Sequence, residues 1–186
     1  MSTWSLAAVV VWLVVSAASL WVWFPSRRTG RPPLDRTAVL VGVVVALGVT
    51  TGLVALFAAL GPPTRPPWSW LSVGTGAVAA LLTGGAVTSC LLALADRSAR
   101  PGGVRAQQTV LRGGAWIGAL ERLGMVAVVM AGWPEGVAAI VAVKAFARYP
   151  ELKAGQASGA TERFIIGTFV SLGWAAACAG IVLVLT

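Results

Sequence analysis

Apolar residues run along this chain in long unbroken blocks, and the polar positions are gathered between them instead of alternating within them. Five blocks stand out: Trp4 to Phe24, Thr37 to Leu60, Trp68 to Ala95, Gly114 to Tyr149 and Phe164 to Thr186. A helix needs about 20 residues to cross a hydrocarbon core ~30 Å thick. The first three blocks and the last each fit one such helix. The fourth is too long for one crossing and is interrupted at Gly132-Trp133-Pro134-Glu135. Proline cannot continue a helix but suits the first turn of the next one, so the pattern predicts a tight helical hairpin at that point. The expected fold is an all-α, polytopic membrane bundle of about six transmembrane helices.

Loop charges fit that count. The loop after the first block holds Arg27, Arg28, Arg31 and Arg36, whereas the next, around Thr64, holds Arg65. The third holds Arg97, Arg100, Arg105 and Arg112, the Trp-Pro-Glu turn holds no base, and the fifth region offers Arg148, Lys153 and Arg163. Basic loops alternate with poor ones, and cytoplasmic loops are the basic ones. Both termini are therefore expected outside, with Thr64 on the outer side. Trp4, Trp68, Trp70 and Trp133 fall at outer boundaries and Trp21, Trp23 and Trp116 at inner ones, where amphipathic rings favour the interface. Trp12 and Trp174 lie deeper.

Composition supports a multi-pass protein of the cytoplasmic membrane: 58% of the 186 residues are hydrophobic and 11% charged, with a mean hydropathy of +0.85. The net charge of +8 would suit nucleic acid if it formed one basic face. Its division into short clusters between apolar blocks points to membrane topology instead, and to no nucleic-acid partner. The chain has no histidine, which removes His-ligated haem and His-dependent acid, base or triad mechanisms. Cys90 and Cys178 fall inside apolar blocks without CxxC spacing and read as small hydrophobes. The N-terminal block lacks a basic leader and continues into an arginine cluster, so it is expected to remain as an anchor.

Two regions follow. Residues 1–113 read as three scaffold helices, uncharged within their apolar stretches, with arginine-rich cytoplasmic loops. Residues 114–186 hold the hairpin and the last helix. The two sets of three spans would be opposite in orientation, as in an inverted repeat. Gly48 and Gly52 form a GxxxG, and Gly76, Ala80, Gly84 and Thr88 recur at four-residue intervals. Such spacing lets helices approach closely, chiefly for internal packing and alternatively as a homo-oligomer face. Residues 95–114 and 152–161 read as a loop and a connector.

The unusual feature is the GALERLG stretch, which puts Glu121 and Arg122 at the start of an apolar run. A charge at the centre of a membrane helix costs roughly 2.5 to 3.5 kcal/mol, and a leucine or valine returns about 0.3 to 0.6. Glu121 lies on the order of 10 Å into its helix, and Lys144 lies at a similar depth in the antiparallel partner. These two are expected to pair, with Arg148 one turn from Lys144 on the same face. Arg122 points about 100° away from Glu121, and Glu162 or Glu151 is its expected partner. Glu162 also complements the positive end of the last helix.

The run WIGALERLGMVAVVMAGWPEGVAAIVAVKAFARYPELK, followed by ERFIIGTFVSLGWA, resembles the C-terminal part of a bacterial integral-membrane family catalogued as a domain of unknown function. The similarity covers about residues 114 to 177. It implies that Glu121, Arg122, Lys144, Arg148, Glu151, Glu162, Gly167, Thr168 and Ser171 fall on the family's recurring positions, and it implies no activity.

The residues leave three function classes. The first is a carrier or binder of an anionic solute or lipid phosphate, with Lys144, Arg148 and Arg122 as donors and Glu121, Glu151, Glu162, Thr168 and Ser171 completing the ligand-binding cluster. The second is a non-catalytic scaffold whose charges lock helices together. The third is a membrane enzyme using carboxylate or hydroxyl chemistry on a lipid-linked substrate. No metal-ligand cluster, Gly-rich phosphate loop or nucleophile elbow is present in the sequence, so no cofactor is expected. Membrane lipids are the expected surroundings, and the first class leads.

Overall fold

A computed structural model of the chain describes residues 3–23, 37–65, 68–99, 114–154 and 160–186. Among these residues every regular element is an α-helix: α1 (Thr3–Trp23), α2 (Thr37–Leu60), α3 (Trp68–Ala99), α4 (Gly114–Met130), α5 (Pro134–Ala154) and α6 (Ala160–Leu185). The helices coincide with the apolar blocks because a backbone in lipid must satisfy its own polar groups, which a helix does internally. Four of them contain stretches long and apolar enough to cross a membrane: Thr3–Leu20, Val39–Leu60, Trp68–Ala95 and Thr161–Leu185. The protein has the character of a membrane protein. Helix α4 has 17 residues, and α5 is diluted by Glu135, Lys144, Arg148 and Lys153.

The interrupted fourth block forms the expected hairpin, and the turn chemistry is explicit. Gly132 adopts φ +62°, a left-handed conformation that costs glycine little. Its N–H donates to the carbonyl of Val129 at 3.1 Å, and the N–H of Trp133 donates to that of Val128 at 3.0 Å. This is a Schellman termination of α4. Pro134 then opens α5, where its missing N–H would have had no partner in any case. Helix α5 runs beyond the expected stop at Tyr149 and carries Pro150 inside it.

Helices α3 and α6 form the central pair, with the most extensive contact in the bundle. Ala79 and Ala80 on α3 and Ala175, Cys178 and Ala179 on α6 are fully buried. Small side chains of this kind let two backbones come close enough for dispersion to hold them where no hydrophobic effect operates. Gly76 belongs to the same seam, since a Cβ there would run into Cγ2 of Val182 and lie 3.4 Å from the ring of Trp12. Trp12 is 1% exposed and fills the junction with α1. Helices α1 and α2 pack on each other and on α3, α4 packs on α6 and α3, and α5 leans on α4 with a light touch on α6.

The two small-residue stripes behave differently. The α3 stripe packs inside the bundle. Gly48 and Gly52 of α2 have open space where a Cβ would stand, so this GxxxG takes no part in the internal packing expected of it. Hydroxyls along the helices mostly fold back on their own backbone: Thr75 donates to Leu71 at 2.9 Å, Thr83 to Ala79 at 2.6 Å, Thr88 to Gly84 at 2.7 Å and Ser89 to Gly85 at 2.9 Å.

Thr64 is drawn into the bundle. It is buried, and both its N–H (2.6 Å) and its hydroxyl (2.8 Å) donate to the carbonyl of Leu185 in the last turn of α6. The end of a helix leaves carbonyls without partners, and here the α2–α3 connection supplies them. Trp4, Trp68, Trp70, Trp116 and Trp133 are exposed, in keeping with their places at helix ends.

Candidate functional site

Adjacent residues on a helix diverge by about 100°, so Glu121 and Arg122 of α4 face different neighbours. The Glu121 carboxylate accepts from the Lys144 ammonium of α5, forming an ion pair across the hairpin. This is the pairing that matched depth on two antiparallel helices predicts. Both side chains are largely withdrawn from solvent, Lys144 at 17% and Glu121 at 13% exposure. The pair joins the peripheral helix α5 to α4.

Arg122 turns the other way, into the seam where α4 meets α3 and α6. It is 6% exposed. Gly84 of α3 makes the room: a Cβ at that position would stand 2.8 Å from Cδ of Arg122 and 3.6 Å from its Nε. The guanidinium leans back over Gly118, with Nη1 3.3 Å from where a Cβ would be, as long helical side chains lean toward the N-terminus of their helix. There Nη1 donates to the hydroxyl of Ser171 on α6 at 3.2 Å. Among the described side chains its partner is thus a neutral hydroxyl. Glu162 stands in the first turn of α6 and is exposed, while the side chain of Glu151 lies outside the described residues.

Two polar atoms at this point have no partner among the described residues. One is Nε of Arg122 and the other is Oγ1 of Thr168, which precedes Ser171 by one turn on the same face of α6. Thr168 is 7% exposed. Beside them, Nε1 of Trp174 donates to Oγ1 of Thr83 at 2.8 Å, and Cδ1 of Trp174 would lie 3.2 Å from a Cβ at Gly84. Trp174 thus forms one wall next to the guanidinium, and its own polar atom is satisfied away from it. Arg148 is half-buried on α5 and engaged with other groups.

The predicted cluster therefore divides. Glu121 and Lys144 come together, as do Arg122 and Ser171 with Thr168 one turn away, and Glu162 stands apart from both. Chemically, the first pair is neutral overall, whereas the second group places hydroxyls beside a buried cation that has no bonded carboxylate among the described residues. Gly84 and the Thr83–Trp174 pair are the contributors that sequence reasoning missed. Their signal was the Thr83-Gly84 step in α3, at a depth comparable with that of Arg122. Among the described residues no group of three or more His, Cys, Asp or Glu side chains could hold a metal ion.

No family model, curated protein or solved structure matches the chain, so the resemblance over residues 114–177 stands on its residues alone.

Proposed function

We propose that this chain is a six-span protein of the cytoplasmic membrane, with both termini outside, that binds an anionic solute or lipid phosphate in the charged layer between α4 and α6. Insertion of the α4–α5 hairpin is supported by the apolar side chains it exposes. Trp116 (74%), Val143 (69%) and Phe146 (80%) gain from lipid what they would lose in water.

The observation that carries the anion reading is the burial of Arg122 with no carboxylate bonded to it among the described residues. Removing an ion from water costs several kcal/mol even after relaxation, and the cost is recovered only by a counter-charge and hydrogen bonds on all its donors. Glu121, the nearest carboxylate in sequence, is taken by Lys144. Ser171 supplies one neutral acceptor. An anion supplies the missing charge, and guanidinium groups bind carboxylate and phosphate more strongly than neutral acceptors.

The test is a thermal-unfolding screen of the detergent-solubilised protein against small carboxylates, phosphate and anionic lipids, run beside Arg122→Gln. The glutamine keeps a donor for Ser171 and removes the charge. A ligand that binds the folded state raises its stability by RT ln(1 + [L]/Kd), about 2.7 kcal/mol at a hundredfold excess. A selective rise in the native protein that the variant lacks is the expected result. A panel without any selective rise leaves the second reading, a non-catalytic scaffold, which is favoured by the way Glu121, Lys144, Arg122 and Ser171 bridge α4 to both α5 and α6.

A further inference from the structure

Among the described residues four buried side-chain polar atoms lack a hydrogen-bond partner: Nε1 of Trp12, Oγ of Ser16, Nε of Arg122 and Oγ1 of Thr168. The first two lie one turn apart on α1. The last two come from different helices and flank one hydrogen bond, that from Arg122 to Ser171. Buried polar groups are seldom left unpaired, because each forfeits its hydration without return.

Thr168 departs from the habit of its own fold. The hydroxyls of Thr50, Thr75, Thr83 and Thr88 all donate to the carbonyl four residues earlier in their helices. That bond is available to a threonine in a membrane helix and satisfies it locally. The Thr168 hydroxyl makes no such bond and so keeps its proton for something else. Ser171 accepts from Arg122, and its own proton is likewise available, since a hydroxyl donates once while accepting.

We infer that Arg122, Thr168 and Ser171 form a subsite for a phosphoryl oxyanion, with Thr168 as a direct ligand-binding residue. This rests on the anion reading above and gives it a chemical class and an address. The Nε edge of the guanidinium comes from α4, and two hydroxyl protons come from successive turns of α6. The set carries one fixed positive charge, and its hydroxyls can both donate and accept, which favours an anion over a cation. Donors arriving from an arginine edge and from two separate hydroxyls match a tetrahedral group with oxygens in several directions. A planar carboxylate would be saturated by the arginine fork alone. Gly84 keeps the guanidinium in place from behind, because its missing side chain leaves the space that Cδ and Nε of Arg122 pass through. The phosphoryl group can belong to a lipid headgroup or to a free phosphate, and the two share this recognition.

Thr168→Val gives a clean test. It keeps the shape of the side chain and deletes a hydroxyl with no protein partner, so the variant folds and unfolds at an equal or higher temperature than the native protein. Full-length protein in a neutral detergent is heated with inorganic phosphate, with phosphatidic acid, with diacylglycerol as the phosphate-free lipid control, and with succinate. Ionic strength is held constant. The expected result is a rise of several degrees with inorganic phosphate or with phosphatidic acid, whichever is the source. Diacylglycerol gives none, and the apparent affinity is weakened at least about tenfold in Thr168→Val, as loss of a hydrogen bond to a charged group entails. If phosphate or phosphatidic acid acts equally on both proteins, Thr168 is no ligand and the inference is overturned. If succinate alone gives the rise, the phosphoryl assignment is overturned and the broader anion reading survives. If nothing shifts the native protein, both fall.

Discussion

Arg122 of α4 runs through the space that a side chain at Gly84 of α3 would occupy, its Cδ 2.8 Å from the position of the missing Cβ. The atom in the way is in the middle of the arginine chain, and Trp174 stands 3.2 Å away on the other side. Cδ of Arg122 cannot step aside without moving the guanidinium, and Trp174 is held by its bond to Thr83. Gly84→Ala is expected to lower stability by about 1–3 kcal/mol, the usual cost of overpacking. The same substitution at Gly76 meets Val182 and should cost at least as much. At Gly48, with open space around it, alanine should be neutral or stabilising by up to about 1 kcal/mol through helix propensity. Thermal unfolding of the three variants in one detergent checks the order, and a Gly84 variant as stable as the Gly48 variant would contradict it.

The ion pair of Glu121 and Lys144 should reveal itself as coupling. Removing one partner strands the other charge at low exposure, whereas removing both strands nothing. In a double-mutant cycle of Glu121→Gln and Lys144→Met, the double variant should be more stable than the sum of the single losses predicts, by about 0.5–3 kcal/mol. Additive losses would mean that the two side chains do not depend on each other.

How much of this was readable beforehand depended on whether a partner was local. The Glu121–Lys144 pair followed from counting rise along two helices joined by a tight turn, since a hairpin fixes which depths face each other. Arg122 did not yield to the same logic. Matching charge with charge leads to Glu162 or Glu151, while among the described side chains the bonded neighbour is a neutral serine on a helix that is not its hairpin partner, made reachable by a glycine on a third helix. The α2 and α3 stripes show a similar limit. Spacing says that a close approach is possible, and only the tertiary arrangement decides which stripe has a helix beside it. Thr64 sits among prolines in a short connection, a setting that reads as solvent-facing, and nothing near it in the chain announces that the end of α6 arrives there.

Loss of the Thr64 hydroxyl should be felt at the far end of the chain. Thr64→Val removes one hydrogen bond to the Leu185 carbonyl and keeps the backbone donor, for a cost of about 1 kcal/mol. Thr64→Ser should recover most of it. Hydrogen exchange at the last turn of α6 should accelerate in the valine variant, and unchanged protection there would argue against the contact.

Topology is checked by single-cysteine labelling in a background without Cys90 and Cys178, both of which are buried. Cysteines at Ser26, Ala106 and Ala157 should react only from the cytoplasmic side, and one at Arg65 only from outside, following the alternation of basic loops. Arg65 is exposed, whereas its neighbour Thr64 is buried. Reaction at position 157 from outside would rule out six spans.

The α3–α6 seam has a consequence for biogenesis. A chain made from its N-terminus delivers α3 to the membrane well before α6 exists, so Gly76, Ala80 and the packing side of Trp12 wait without their principal neighbour. Thr64 waits as well, since the carbonyl it holds belongs to the last turn of α6. Arg122 is made before Ser171 is available to accept from it. Addition of α6 is therefore the event that closes the core, engages Thr64 and gives the buried arginine its only protein acceptor among the described residues. A nascent chain stalled before residue 160 holds five helices that can already pack on one another, but it lacks the central α3–α6 seam and the contact of α4 with α6.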